Sequence, residues 1–574
     1  MKYLLQRLKP FAPRMGVGFS IKVLGTVVEL FLPYILTHIL KEIVVTQDLQ
    51  QILFWGGLMI LCAGVACLCN IIANRMAAKV SKDFAGEMRK DLFAKTMRLC
   101  AEQTDRFTIP SLESRITTDT YHVHNFVGMM QRMGVRAPIL LVGGIAITMV
   151  MDPRLATVML MILPFIFVTV YFISRKGVPL YAKVQTSVDN MVRVVREDAQ
   201  GIRVIKALSK NEYENDRYDK VNYTLSTEER RVGMIMGSVN PIMNLLMNAG
   251  ITAVVAISAI TVSDSKSDPE TVIAFMQYFT LISMAMMTVS RMFIMYTKCA
   301  ASANRIAQVM NAPEGLSCEA KEKDCGKRVE EGIVFDQVSF SYTGKHDHLK
   351  EIDFALPRGG SLGIIGSTGS GKSTLIKLLL RFYDVGKGSI RIDGKDVRSF
   401  EKQELSALFG VALQNDFLYA DTVEENIRFG RDLTKEQIVR AAKIAQAHDF
   451  IEALPDGYGH LLSAKGTNLS GGQRQRLLIA RALAADPYIL ILDDSSSALD
   501  YKTDAALRVA LRKEQANTTL ITVAQRVSSV MQSDLILVLE NGEIIGKGTH
   551  EELLNTCKEY KEISDSQMGG AFVE

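Results

Sequence analysis

Net charge is scarce in this 574-residue sequence: 66 Lys and Arg against 62 Asp and Glu leave only +4. No basic tract is interleaved with aromatics, so composition offers no footprint for nucleic acid, and none is expected as a partner. Cysteine is sparse and scattered. The eight thiols (Cys62, Cys67, Cys69, Cys100, Cys299, Cys318, Cys325, Cys557) form no ligand-like cluster with histidine, and reduced filler residues are expected rather than disulfides or a zinc site. The opening MKYLLQRLKPFAPRM lacks a small-residue cleavage site and alternates basic with apolar residues, which reads as an interfacial amphipathic helix over 1–14, not a signal peptide. Apolar residues are in excess: 48% of the chain is hydrophobic and mean hydropathy is +0.13. That points to a membrane part in a chain too long for one core.

The apolar residues are concentrated before residue 297, in runs at 16–45, 51–77, 125–150, 154–174, 233–262 and 270–295. Each is close to or above the ~20 residues that span a bilayer as helix. Six crossings predict a transmembrane domain over 15–310 with both ends on one side. The odd-numbered loops (TQDLQ, MDPR, SDSKSD) are short and nearly free of basic residues, whereas the even-numbered ones are long and rich in Lys and Arg. By the positive-inside rule the long loops and both termini are cytoplasmic. These loops have few Gly or Pro, so the membrane helices are expected to continue into the cytosol.

A charged, patternless linker is expected over 311–330. From 331 to 574 short β runs alternate with helical ones: GIVFDQVSFSY, SLGIIG, SIRIDG, YILILDD, TTLITVA and DLILVLENGEII. A largely parallel sheet flanked by helices suits that order. Between SLGII and a helical TLIKLLLRF lies GSTGSGKST: Gly366, Ser367, Thr368, Gly369, Ser370, Gly371, Lys372, Ser373 and Thr374. This is a phosphate loop in its required context. Backbone N–H groups cradle phosphates, Lys372 reaches the β- and γ-phosphates, and Ser373 offers a hydroxyl to Mg²⁺. The strand YILILDD delivers Asp493 to hold Mg²⁺. A second glycine-led helix start, LSGGQ, supplies another anion-binding N-terminus that a single domain does not need.

With these motifs in order, the chain resembles the ABC transporter family, whose signature is LSGGQ. The resemblance runs from the phosphate loop through VALQND, LSGGQ, ILILDD, SALD and ITVAQR, and six fused helices look like an exporter-type (type IV) half transporter: a membrane α-helical domain joined to an α/β P-loop ATPase. It implies ATP and Mg²⁺ as cofactors and Tyr342 stacking on adenine. It also implies Gln414 contacting Mg²⁺, and Ser470, Gly471, Gly472 and Gln473 closing on a partner's ATP. Ser497 and Asp500 would lie at the dimer interface. The stretches 111–117 and 207–214 would be coupling helices.

Three positions depart from the family. Asp494 stands where the catalytic glutamate is usual, Gln525 where a histidine contacts the γ-phosphate, and Ala464 where exporters often carry a glutamate. A carboxylate shortened by one methylene withdraws by ~1 Å, which can cost ~100-fold in rate. Glutamine donates a hydrogen bond but relays no proton. ATP binding is expected to survive with slow hydrolysis. Within the family this resembles the degenerate-site subunit of a heterodimeric multidrug exporter in the plasma (inner) membrane, pairing with a different half transporter that keeps the glutamate. Competing readings are a slow homodimer, an exporter-shaped importer of metal–siderophore, and a regulatory protein that binds ATP without turnover. The absence of a peptidase domain ahead of the first helix argues against export of processed peptides.

For the transport path, Asn240, Asn244 and Asn248 share one face of helix 5 at spacing four. Helix 6 adds Gln277, Tyr278, Met284, Met287, Arg291 and Met295; methionine is adaptable and suits a cavity for amphipathic, drug-like or lipid-like compounds. Glu29 is an intramembrane acid and a functional candidate by default.

Overall fold

The computed structural model describes residues 2–263, 269–316, 332–414, 416–495 and 497–568. The linker expected at 311–330 and the cysteines Cys318 and Cys325 fall wholly or largely outside them; the six described cysteines are free thiols. The chain divides into two units: 1–98 with 107–312, and 99–106 with 313–574.

The first unit is all helix. A short α1 (Lys2–Leu8) runs through a 3-10 turn into α2 (Ala12–His38); Leu4 and Phe11 are buried, and Phe11 meets Phe84 edge-on at 5.9 Å. Then come α3 (Leu49–Arg98), the short α4 (Ala101–Phe107) and α5 (Ile109–Ser114), α6 (Thr120–Met151), α7 (Pro153–Ala207), α8 (Asn211–Gly237), α9 (Val239–Ser263) and α10 (Pro269–Met310). Among the described residues, six helical stretches are long and apolar enough to cross a membrane. At 50 and 55 residues, α3 and α7 reach about 75 and about 83 Å at 1.5 Å per residue, far beyond the ~30 Å hydrocarbon layer.

Local chemistry sets the breaks. The MDPR turn between α6 and α7 is an N-cap: Asp152 accepts from the backbone N–H of Arg154 at 2.9 Å, and Pro153 takes the first helical position, where no N–H is required. Small residues let helices approach closely. A Cβ on Gly25 of α2 would come within 2.8 Å of the Cβ of Cys69 on α3. Tyr278 of α10 is fully buried and its hydroxyl donates to the Leu30 carbonyl at 2.7 Å. It therefore serves helix packing, which corrects its place among the transport-path candidates. A second buried tie joins Asp119 to α10 through Ser302 (2.9 Å) and Arg305 Nε (2.8 Å).

The second unit carries two sheets. Strands β1 (Ile333–Phe340), β2 (Leu349–Leu356), β4 (Lys387–Ile392) and β5 (Lys395–Asp396) form an antiparallel sheet ordered β2-β1-β4-β5. Strands β3 (Ser361–Gly366), β6 (Phe409–Ala412), β7 (Ile489–Asp493), β8 (Thr519–Val523), β9 (Leu535–Glu540) and β10 (Glu543–Gly548) form the other, ordered β10-β9-β3-β8-β7-β6 and parallel except for the β9–β10 hairpin. GIVFDQVSF and SIRIDG thus leave the parallel sheet expected for them. Parallel neighbours require long crossovers, and the short β1–β2 connection permits only antiparallel pairing. Burial distinguishes the sheets: β7 is buried along its whole length, whereas β2 largely alternates.

The segment 99–106, largely α4, groups with this second unit. Ala101 packs against its main core, and Asp105 accepts a hydrogen bond from the Tyr383 hydroxyl. The resemblance implied a coupling helix at 111–117. Those residues belong to the first unit, where Arg115 bonds the Arg305 carbonyl at 2.8 Å. The other stretch, 207–214, is the turn between α7 and α8 with the first residues of α8, and it exposes Leu208 and Tyr213.

Candidate functional site

Strand β3 ends at Gly366, and the chain turns through Gly369 and Gly371, both at positive φ (+85° and +104°), before α11 (Lys372–Leu379) begins. Glycine is required at Gly371: a Cβ there would also strike the Leu349 side chain at 2.7 Å. The first turn of α11 has no side-chain cap, so its N–H groups remain available to an anion. A cavity of about 180 Å³ opens at this turn, lined by Lys372, Ser373, Gln414, Asp493, Asp494 and Gln525 among others. The parallel sheet brings them together. Asp493 pairs with Val523 on the neighbouring strand, so the residues just beyond β7 and β8 emerge side by side.

The electrostatics call for an anion and a cation together. Burial pushes the Lys372 ammonium below its ordinary value, against the pull of Asp493 and Asp494, and its Nζ donates to the carbonyls of Gly366 (2.9 Å) and Ser367 (2.7 Å). Burial likewise pushes the Asp493 carboxyl up, opposed chiefly by a hydrogen bond from Ser373. The buried Ser370 hydroxyl has no partner among the described residues. A nucleotide phosphate with Mg²⁺ would supply what each group lacks, Asp493, Ser373 and Gln414 being the oxygen donors. A larger cavity, about 540 Å³, lies beside the helix Tyr501–Glu514 and contains no phosphate-loop atom, so size alone does not locate the site.

Asp494 leaves the strand at φ +51°, in the left-handed region where Asp is enriched. Its Oδ2 accepts from both Gln414 Nε2 (3.1 Å) and Gln525 Nε2 (3.0 Å). Two of the three departures from the family, Asp494 and Gln525, thus bond each other. The sequence did not signal this convergence, since Gln525 and Gln414 lie 31 and 80 positions from Asp494. Ser497 closes the turn by donating to the Asp494 carbonyl at 2.9 Å, and Asp500 caps the following helix through the Thr503 N–H at 3.1 Å.

Tyr342 is 38% exposed; its ring meets Tyr383 and His348 edge-on, and its hydroxyl donates to Thr374 at 3.3 Å. Ser470 caps the signature helix Gly471–Leu483 in a reciprocal box: Gln473 N–H to Ser470 Oγ at 3.2 Å, and Ser470 N–H to Gln473 Oε1 at 2.9 Å. Ala464 begins a short 3-10 turn ahead of it.

In the first unit Asn240, Asn244 and Asn248 lie on one exposed face of α9, and Gln277, Met284 and Arg291, spaced seven apart, lie on one exposed face of α10. Glu29 is not alone: Arg136 of α6 pairs with it at 2.6 Å. Sequence reading missed this partner, and missed buried Lys22, which donates to Asn70 (2.7 Å) and Asn74 (3.2 Å) on α3. The available signals were Asn70 and Asn74 at spacing four and Lys22 and Glu29 at spacing seven, each pair one helix face inside an apolar run.

Two family models match: the ABC transporter transmembrane region over residues 15–286 and the ABC transporter domain over 349–497. An ABC transporter ATP-binding protein of Bacillus subtilis (strain 168), YfiB, is 34% identical over 571 residues, covering 99% of each chain. The ATP-dependent lipid A-core flippase of Vibrio cholerae is 31% identical over 497 residues, covering 85% of this chain and 84% of that one. Among solved structures, a bacterial Atm1-family ABC exporter with ATP bound shares the fold at TM-score 0.81 and 23% identity, over 97% of this chain and 98% of the other. With the phosphate loop, the two sheets and six apolar helices already in place, these matches over nearly the whole length show that the chain belongs to the ABC transporter family, as an exporter-type half transporter whose ATPase domain uses ATP and Mg²⁺ to drive transport.

Proposed function

We propose that this chain is the hydrolysis-impaired half of a heterodimeric exporter, moving amphipathic drug-like or lipid-like compounds out across the plasma (inner) membrane. Members of the family work as dimers in which each signature helix faces the other subunit's phosphate loop. One observation carries the asymmetry: the Asp494 oxygen accepting from both Gln414 and Gln525. A carboxylate oxygen has about two lone pairs. The two bonds hold Oδ2 and fix the carboxylate's orientation, and the group is one methylene short of the attacking water, so it is badly placed to take a proton, while Lys372, Ser373 and Asp493 keep ATP and Mg²⁺ bound. Tyr342 holds adenine, Ser497 and Asp500 lie at the dimer interface, and the intact box at Ser470, Gly471, Gly472 and Gln473 serves the partner's site.

The substrate reading is supported by the exposed polar faces of α9 and α10, costly against lipid and suited to a water-filled cavity, and by the lipid A-core flippase relative. Basic residues in the long loops support cytoplasmic termini and a cytoplasmic ATPase domain. The decisive measurement is ATPase activity of the purified chain alone and co-expressed with a candidate partner half transporter. Turnover that appears only with the partner supports the proposal. Rapid hydrolysis by the chain alone excludes it in favour of a homodimer. Bound ATP with no turnover with any partner favours a regulatory protein, and uptake of a labelled siderophore favours an importer.

A further inference from the structure

The described chain ends in the helix Lys558–Met568, outside every motif named above. Its residues Tyr560, Ile563 and Gln567 recur at spacings of three and four, so they share one face. Tyr560 is fully buried in a core with Ile365, Ala524, Val527, Val530, Leu553 and Cys557; Ile563 packs against that core. The Tyr560 hydroxyl is 2.7 Å from His550 Nδ1, fixing the helix to the one before it. That core lies directly beneath the segment carrying Gln525.

At the far end of the same face, Gln567 uses both ends of its amide. Its Oε1 accepts from the Val527 N–H at 2.8 Å, and its Nε2 donates to the Gln525 carbonyl at 2.8 Å. Val527 opens a four-residue helix, where a backbone N–H has no intrahelical partner. A cap alone would need only the first bond. The second holds the carbonyl of Gln525 itself, the residue whose side chain points at Asp494. A chain of bonds therefore runs from Gln567 through the backbone of Gln525 to its side chain and on to Asp494.

We infer that Gln567 is a positioning residue for this chain's own ATP site: gripping the Gln525 carbonyl and the Val527 N–H, on either side of Arg526, it fixes where the Gln525 amide lies beside Asp494, and the C-terminal helix thereby sets the segment 524–527. The claim concerns this chain's own site and holds whichever partner completes the dimer.

The test uses the full-length chain in lipid nanodiscs, with Gln567→Met, which is near-isosteric but cannot bond, Gln567→Glu, which keeps only the acceptor, Gln525→Ala, and the Gln525→Ala/Gln567→Met double variant. Without nucleotide, hydrogen exchange of the peptide spanning 524–530 should quicken about 3- to 10-fold in Gln567→Met, the span of one lost hydrogen bond, and less in Gln567→Glu. Single-turnover hydrolysis of ATP bound at this chain's site, in the complex whose partner carries glutamine for its catalytic glutamate, should change in Gln567→Met in the same direction as in Gln525→Ala with ATP affinity unchanged, and the double variant should match Gln525→Ala. Unchanged exchange at 524–530 would overturn the inference. So would effects that multiply in the double variant, or an equal quickening at 553–560, which would make Gln567 a packing residue of its helix. Exchange requires no turnover, so the inference can fail or stand independently of the heterodimer proposal.

Discussion

The phosphate loop and the signature helix are built from the same part, a glycine-led turn into a helix N-terminus, yet the two ends differ. At the phosphate loop α11 begins from Gly371 with no side-chain cap, so its N–H groups stand ready for an anion. At the signature helix Ser470 and Gln473 already satisfy two of those groups by capping each other. The first end is preorganised; in the proposed dimer the second would meet a phosphate with its cap already formed. The hydrolytic groups sharpen the contrast. Those beside the phosphate loop, Asp494 and Gln525, depart from the family and bond each other, while LSGGQ keeps its sequence intact.

The largest effect that could break this comparison is predicted outside the chain. In the complex with its proposed partner, replacing that partner's catalytic glutamate by glutamine should cut steady-state ATPase activity by about 100-fold or more. A loss of less than half would mean that the site at Asp494 turns over. Next, restoring this chain's own site with Asp494→Glu and Gln525→His together should raise hydrolysis by the chain alone about 10- to 100-fold, each single change giving less, because the residues share one hydrogen bond. No gain would mean that the deficit lies elsewhere.

Lys372→Ala should weaken Mg-ATP binding at this chain's own site by about 10-fold or more, as expected for a charge-assisted contact, while leaving part of the heterodimer's turnover. Fluorescent-nucleotide titration read beside the ATPase rate separates the two. The smallest effect is expected at the intact end. Ser470→Ala removes an N-cap worth about 1 kcal/mol, and heterodimer turnover should fall several-fold with nucleotide affinity at Lys372 unchanged. A fall in that affinity instead would place Ser470 in its own chain's site.

Where one stretch of chain carries a whole function, the sequence was a sufficient guide. GSTGSGKST is legible because the tight turn, the lysine and the helix start are contiguous, and the six crossings are legible because hydropathy is a local property. Pairings between distant segments were hidden. Gln414, Asp494 and Gln525 meet only because parallel strands β7 and β8 bring separate loops to one edge, and Glu29 meets Arg136 only because α2 and α6 pack together. That 99–106 groups with the second unit was hidden for the same reason: Asp105 and Tyr383 are far apart in sequence, and only packing brings them together.

By itself, then, the sequence determined the family, the membrane-plus-ATPase division, the nucleotide chemistry and the two anomalous residues, since each rests on residue type and near-neighbour spacing. Tertiary structure alone decided that those anomalies bond each other, that β1 and β4 pair antiparallel, that Tyr278 is packing, and that Gln567 reaches the backbone of Gln525. The physical reason is range: a hydrogen bond requires its partners within about 3 Å, and chain topology sets that distance between residues far apart in sequence.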